Sequence, residues 1–146
     1  MHCKHASPAP TLLTTTLLTT THRKTLLTLM NNAPSALPDS DVETLAQRLA
    51  TDPEALQLID VREPHELEVA SVEHFVNLPL SQFPAWSGAI QTQFDADAET
   101  IVMCHLGMRS AQMCQWLIAQ GFTNVKNLTG GIDAYSRKID PTVPLY

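Results

Sequence analysis

The residues best suited to chemistry stand together at Cys104-His105-Leu106-Gly107-Met108-Arg109-Ser110. Cysteine is a nucleophile only as its thiolate, so what matters is whether its neighbours favour an anion. The run Thr100-Ile101-Val102-Met103 ahead of it is apolar on both faces, as a central parallel strand is. A helix is predicted from about Ser110 to Gln120, with Met113, Trp116 and Leu117 on one stripe and Gly121 as its stop. Cys104 therefore falls where a strand ends and a helix begins, the place where open α/β sheets gather their functional groups. A helix start leaves backbone N–H groups without partners, and its dipole favours negative charge by about 0.3–1 kcal/mol. A loop curling around the sulfur would make its amides an anion cradle. Gly107 would supply the backbone angles for the curl, and Arg109 a fixed positive charge. All of these stabilise a thiolate over a thiol. Such a cradle suits a tetrahedral anion, thiosulfate-like or phosphate-like, and does not by itself choose between attack on sulfur and attack on phosphorus.

The elements that must position this loop follow from local pattern. Ser40-Asp41-Val42-Glu43 reads as a capping box before the amphipathic run Val42, Leu45, Ala46, Leu49, which predicts a helix over about 41–51. Leu56-Gln57-Leu58-Ile59-Asp60 reads as a short buried strand. Pro64-His65-Glu66-Leu67-Glu68 opens a helix with proline at its first position and acids in its first turn. Phe75-Val76-Asn77-Leu78 is a further strand, Leu80 to Gln93 a polar and helical stretch, and Val125-Lys126-Asn127-Leu128 the last strand. Thr129-Gly130-Gly131 is then a turn, and Ile132 to Lys138 a final short helix. Strands alternating with helices predict an α/β domain whose central, mainly parallel sheet of four or five strands is covered on both faces.

Composition narrows the function. At 146 residues the chain has room for one domain, and no segment offers the roughly 18 uninterrupted apolar residues of a membrane helix. Residues 31–146 hold all 15 acids but only six of the nine Lys and Arg, which argues against a nucleic-acid partner. Cys3, Cys104 and Cys114 make neither a disulfide framework nor a Cys-x-x-Cys zinc pattern, so a reducing compartment, with the cytoplasm as first choice, is expected. Residues 1–30 are mostly Thr and Leu with no acid. They read as an extension outside the domain at 37–146: either an organelle transit segment, or upstream sequence ahead of a true start at Met30. The scarcity of Arg favours the second.

The loop Cys104-x-x-Gly107-x-Arg109-Ser110 resembles the active loop of rhodanese-family sulfurtransferases. The resemblance extends upstream to Leu58-Ile59-Asp60-Val61-Arg62-Glu63 with Glu66 and to Asn77-Leu78-Pro79-Leu80. Downstream it takes in Gly121-Phe122, Val125 and Leu128-Thr129-Gly130-Gly131-Ile132-Asp133-Ala134-Tyr135, so that it covers roughly residues 37–146. It implies a three-layer rhodanese-like fold and a ping-pong cycle in which Cys104 takes up sulfane sulfur as a persulfide. The donor would be thiosulfate or a persulfide-bearing protein, and a thiol or cyanide would remove the sulfur. His105, Leu106, Gly107, Met108 and Arg109 would bind the substrate, with Arg109 orienting an anionic donor; no metal or organic cofactor is implied. Cysteine phosphatases carry five residues between Cys and Arg, whereas four stand here, and the shorter loop favours sulfur transfer. The ending from Ile132 to Tyr146 resembles the tail of rhodanese domains fused to enzymes that activate sulfur carriers. That suggests an alternative, a persulfide carrier or interaction module with little turnover. Where many members read Gly-His-Ile-Pro-Gly-Ala, this chain has Ala70 to Val76, a segment that usually borders the active site, and Tyr135 stands where Trp is frequent.

Other polar and sulfur-bearing residues are expected to be structural. Asp60 and Arg62, near the sheet edge that carries Cys104, are expected to fix backbone or form an ion pair. Cys114 is expected to pack as a small apolar residue, and Trp86 and Trp116 to be core residues. His105 is balanced between solvent-exposed rim and substrate contact, His65 and His74 are surface residues, and Glu63, Glu66, Glu68 and Glu73 form a solvated face.

Overall fold

The computed structural model describes residues 36–146; the readings made for residues 1–30, Cys3 included, lie outside them. Five parallel strands form one sheet in the order β1-β5-β4-β2-β3. They are β1 (Asp39–Ser40), β2 (Gln57–Asp60), β3 (Val76–Asn77), β4 (Thr100–Met103) and β5 (Val125–Leu128). Six α-helices accompany them: α1 (Val42–Thr51), α2 (Pro64–Val69), α3 (Phe83–Trp86), α4 (Ile90–Gln93), α5 (Met108–Ala119) and α6 (Gly131–Lys138). The expected α/β class is present.

Alternation along β4 divides the core in two. Val102 and Cys104 face a layer with Ile59, Trp86, Ile90, Met113, Cys114, Leu117 and Phe122. Ile101 and Met103 face the other layer, with Val42, Leu45, Leu58, Leu128 and Ile132. Successive side chains of a strand point to opposite faces, so one four-residue strand, buried at all four positions, serves both layers. Trp86 and Trp116 meet edge-to-face at 5.8 Å, with Phe83 against both at 5.0 Å. Trp86 Nε1 donates to the Pro79 carbonyl at 2.9 Å, satisfying the polar end of a buried ring.

The structure departs from pattern in several places. Ser40 is not the cap of α1: it belongs to β1, paired with Leu128 of β5, and Asp41 caps the helix by accepting from the Thr44 amide at 2.7 Å. The strand expected from Leu56 begins at Gln57, because a 3₁₀ turn over Pro53–Ala55 ends at Leu56. The segment Ala70–His74 lines a cleft of about 560 Å³ with Leu49, Tyr135, Thr142 and Val143, and none of residues 104–110 is on its walls. Its altered sequence thus shapes this cleft. His74 there holds φ at 72°, a left-handed conformation uncommon outside glycine.

Candidate active site

Cys104 follows β4 directly and is 1% exposed. The next three residues turn the chain into α5, whose N-cap is Gly107 at φ 103°. The helix starts at Met108, two residues before the predicted start, so Arg109 and Ser110 lie in its first turn. Met and Arg are good helix formers and glycine accepts the left-handed cap, which lets the helix reach back to the loop. Gly107 N donates to Cys104 Sγ at 3.1 Å. Ser110 Oγ lies 3.2 Å from the same sulfur and donates to Asn127 Oδ1 at 2.6 Å.

The start of α6 fixes which way the loop's peptides face. Ile132 N donates to the Cys104 carbonyl at 3.0 Å and Asp133 N to the His105 carbonyl at 3.2 Å. In trans peptides the N–H points opposite the C=O. Tying these two carbonyls to α6 therefore turns the amides of His105 and Leu106 to the other side. Gly131, at φ 58°, makes the approach possible: a Cβ there would stand 2.3 Å from the Cys104 carbonyl oxygen and 2.4 Å from that of His105.

The charges around the loop form a connected set. Arg109 Nη1 and Nη2 each donate to one oxygen of Glu66 at 2.7 Å. Glu66 Oε2 also accepts the Glu63 amide at 2.9 Å, and Oε1 accepts the Tyr146 hydroxyl at 3.1 Å. These donors, the Arg109 guanidinium first among them, hold the Glu66 carboxyl down to about 2, and the same pairing raises Arg109. Below the site, Arg62 Nη2 meets Asp60 Oδ2 at 2.6 Å with both side chains buried, and Arg62 Nη1 donates to the Tyr146 hydroxyl at 2.8 Å. The Tyr146 ring stacks on His105, centroids 4.2 Å apart and planes 10° from parallel.

Residues 41–138 match the family model for the rhodanese-like domain. The chain belongs to the rhodanese family. It is 46% identical over 111 residues to a rhodanese-like/PpiC domain-containing protein, chloroplastic, of Arabidopsis thaliana, covering 74% of this chain and 37% of that protein. A sulfurtransferase of Allochromatium vinosum is 36% identical over 103 residues, covering 70% of this chain and 92% of the relative. A crystal structure of a rhodanese-like domain protein from Staphylococcus aureus superposes with a TM-score of 0.61 at 21% identity, covering 75% of this chain and 99% of that one, which shows the shared fold. The chain spans between 24% and 37% of the length of three longer plant proteins that it matches, whose activities as whole proteins are their own. Sulfur transfer is the role that this rhodanese-like domain and its sulfurtransferase-named relatives support.

Within this rhodanese-like domain, Cys104, Gly107 and Arg109 are brought together as expected, but Arg109 does not present a free charge, since both arms of its fork rest on Glu66. Leu106 and Met108 project outward, 59% and 79% exposed, and His105 is covered on one face by Tyr146. Asp60 and Arg62 form the expected ion pair. Glu66 is not part of a solvated face: its side chain is 12% exposed and it is a centre of the site. Its position three residues after Glu63, with Pro64 between, was the available signal, because that spacing lets a first-turn carboxylate reach back to the cap. Ser110 stood in the loop motif, but no sequence signal marked its partner Asn127, or Tyr146. Among the described residues no group of three His, Cys, Asp or Glu side chains is placed to hold a metal, and no helix is long and apolar enough to cross a membrane.

Two expected results arise here. Glu66 is lowered in the fold, so its contribution is present above its unfolded value of 4.5 and is lost as pH falls toward 2. Against Glu66→Gln, the wild-type protein should be more stable at pH 7 by about 1–2 kcal/mol, allowing for solvent on the Arg109 side. Urea titrations should show that margin closing between pH 4.5 and 2; a margin independent of pH would contradict the pairing. Cys114 is fully buried, and burial pushes its thiol up to about 12, so at neutral pH it holds its proton. Cys114→Ala should leave sulfur uptake within about twofold of wild type, since only the thiolate exchanges. A loss of uptake that follows Cys114 would assign it the role of a resolving thiol.

Proposed function

We propose that this domain is a sulfurtransferase whose Cys104 carries the transferred sulfur as a persulfide. The Cys104 thiolate attacks the outer sulfur of thiosulfate or of a protein persulfide. The new S–S bond forms as the old one breaks, and sulfite, or the donor's thiolate, leaves with the electron pair. In the second half, cyanide or an acceptor thiolate attacks the outer sulfur of Cys104-S-SH and the Cys104 thiolate is restored. Neither half calls for a metal or an organic cofactor. The observation that carries this reading is the peptide orientation of the loop: two carbonyls are held by α6, and the Gly107 amide donates to Cys104 Sγ at 3.1 Å. The loop is thus set for an anionic sulfur before any donor arrives. His105, Leu106, Gly107, Met108 and Arg109 form the wall that a donor meets. The test is intact-mass analysis before and after thiosulfate. A gain of one sulfur that cyanide removes is expected, and no mass change with thiosulfate or a persulfide donor would end the reading.

A second reading, a persulfide carrier with little turnover on small molecules, is favoured by the exposed Leu106 and Met108 and by the engagement of Arg109 with Glu66. A one-sulfur mass gain after mixing with a desulfurase, without cyanide turnover, would choose it. For the compartment, the chloroplastic Arabidopsis relative favours the transit reading of residues 1–30 over the cytoplasm.

A further inference from the structure

Tyr146 lies 84 residues from Arg62 and 80 from Glu66, yet its hydroxyl joins them. It accepts from Arg62 Nη1 and passes its own hydrogen to Glu66 Oε1, the oxygen that also receives Arg109 Nη2. An ordered line therefore runs from Asp60 through Arg62, Tyr146 and Glu66 to Arg109, and ends in the first turn of the helix that Cys104 faces. The ring makes a second, separate contact by stacking on His105, the residue after Cys104. Tyr146 is 41% exposed, and its hydroxyl bonds fall on Glu66, which pairs with the loop's cation, and on the buried Arg62.

We infer that Tyr146 is a positioning residue of the sulfur-transfer site: its hydroxyl sets the Glu66 carboxylate that aims Arg109, and its ring holds the His105 side of the loop. The inference rests on the proposed persulfide chemistry at Cys104. The two contacts separate by substitution, because Tyr146→Phe removes the hydroxyl and keeps the ring, while Tyr146→Leu removes both. Arg109 is the loop's only cation, so loosening it weakens capture of an anionic donor, and loosening His105 alters the loop during transfer itself.

The experiment follows sulfur uptake from thiosulfate and its release to cyanide in the wild-type protein and both variants. Tyr146→Phe should raise the KM for thiosulfate about threefold to tenfold, the range of one hydrogen bond at a partly solvated site, with kcat within about twofold. Tyr146→Leu should show the same rise in KM and a fall in kcat of about fivefold or more, through the lost stacking. Wild-type protein that loads sulfur, with both variants unchanged in KM and kcat, overturns the inference alone, and so does a lowered melting temperature with KM unchanged. Wild-type protein that takes up no sulfur from thiosulfate or from a persulfide donor overturns the persulfide reading and the inference with it.

Discussion

Cys104→Ser should abolish transfer of sulfur from thiosulfate to cyanide, a loss on the order of 10³-fold or more, because the nucleophile itself is removed. A serine hydroxyl is protonated at neutral pH and does not form a stable bond to sulfane sulfur. The fold should survive. Cys104 is 1% exposed within the layer formed with Val102, Met113 and Cys114, so the exchange places a hydroxyl where a thiol packed. Gly107 N, now 3.1 Å from Sγ, and Ser110 Oγ, at 3.2 Å, are in place as partners for it. With those bonds made, the cost should stay near about 1 kcal/mol. Cyanide-coupled turnover and circular dichroism on the same sample check both halves. Retained turnover would remove Cys104 from the mechanism.

Asp60→Ala should destabilise the domain by about 3–5 kcal/mol, the cost of breaking a buried ion pair by taking away one partner. Arg62 is 0% exposed. Asp60 accepts from its backbone amide, from Nε at 3.0 and 3.1 Å and from Nη2 at 2.6 Å. Without the carboxylate, the guanidinium remains in the interior facing a void. Because whole-domain stability is commonly about 5–15 kcal/mol, such a loss should shift the urea midpoint far down. The intact pair need not be a net source of stability, since desolvating both charges offsets much of their attraction. Replacing both, as in Asp60→Leu with Arg62→Met, should therefore recover part of the loss, while thiosulfate uptake stays impaired because Arg62 no longer feeds Tyr146 and Glu66. A loss below about 1 kcal/mol for Asp60→Ala would show that Arg62 finds another partner.

Much of this was legible in the chain before any coordinates. The apolar run Thr100–Met103 takes its expected place, and the loop after Cys104 and the turn at Gly130 follow from local pattern, though helices claim Met108, Arg109 and Gly131. What escaped is what local pattern does not carry. A two-residue strand such as Asp39–Ser40 has no periodicity of its own and exists only because β5 offers a free edge. The start of α5 depends on whether Met108 and Arg109 join the loop or the helix, and both residues suit either. The Glu66 and Tyr146 contacts were hidden for a different reason. The Glu63-to-Glu66 spacing marks a reach back to the helix cap but not a bond to Arg109, and nothing marks Tyr146 until tertiary closure sets the two beside Arg109 and Arg62.

The burial of Cys104 governs which atom an incoming nucleophile can reach. A persulfide has two sulfurs, and attack on each gives a different product: on the outer one, transfer of sulfane sulfur; on the inner one, a mixed disulfide with the outer sulfur lost as hydrosulfide. With Cys104 1% exposed and its sulfur against the Gly107 amide and the Ser110 hydroxyl, the inner sulfur of the proposed persulfide would be the less accessible of the two. Under the proposed persulfide chemistry, the packing that hides the nucleophile would thus bias the regiochemistry of its discharge and disfavour a dead-end disulfide with the acceptor.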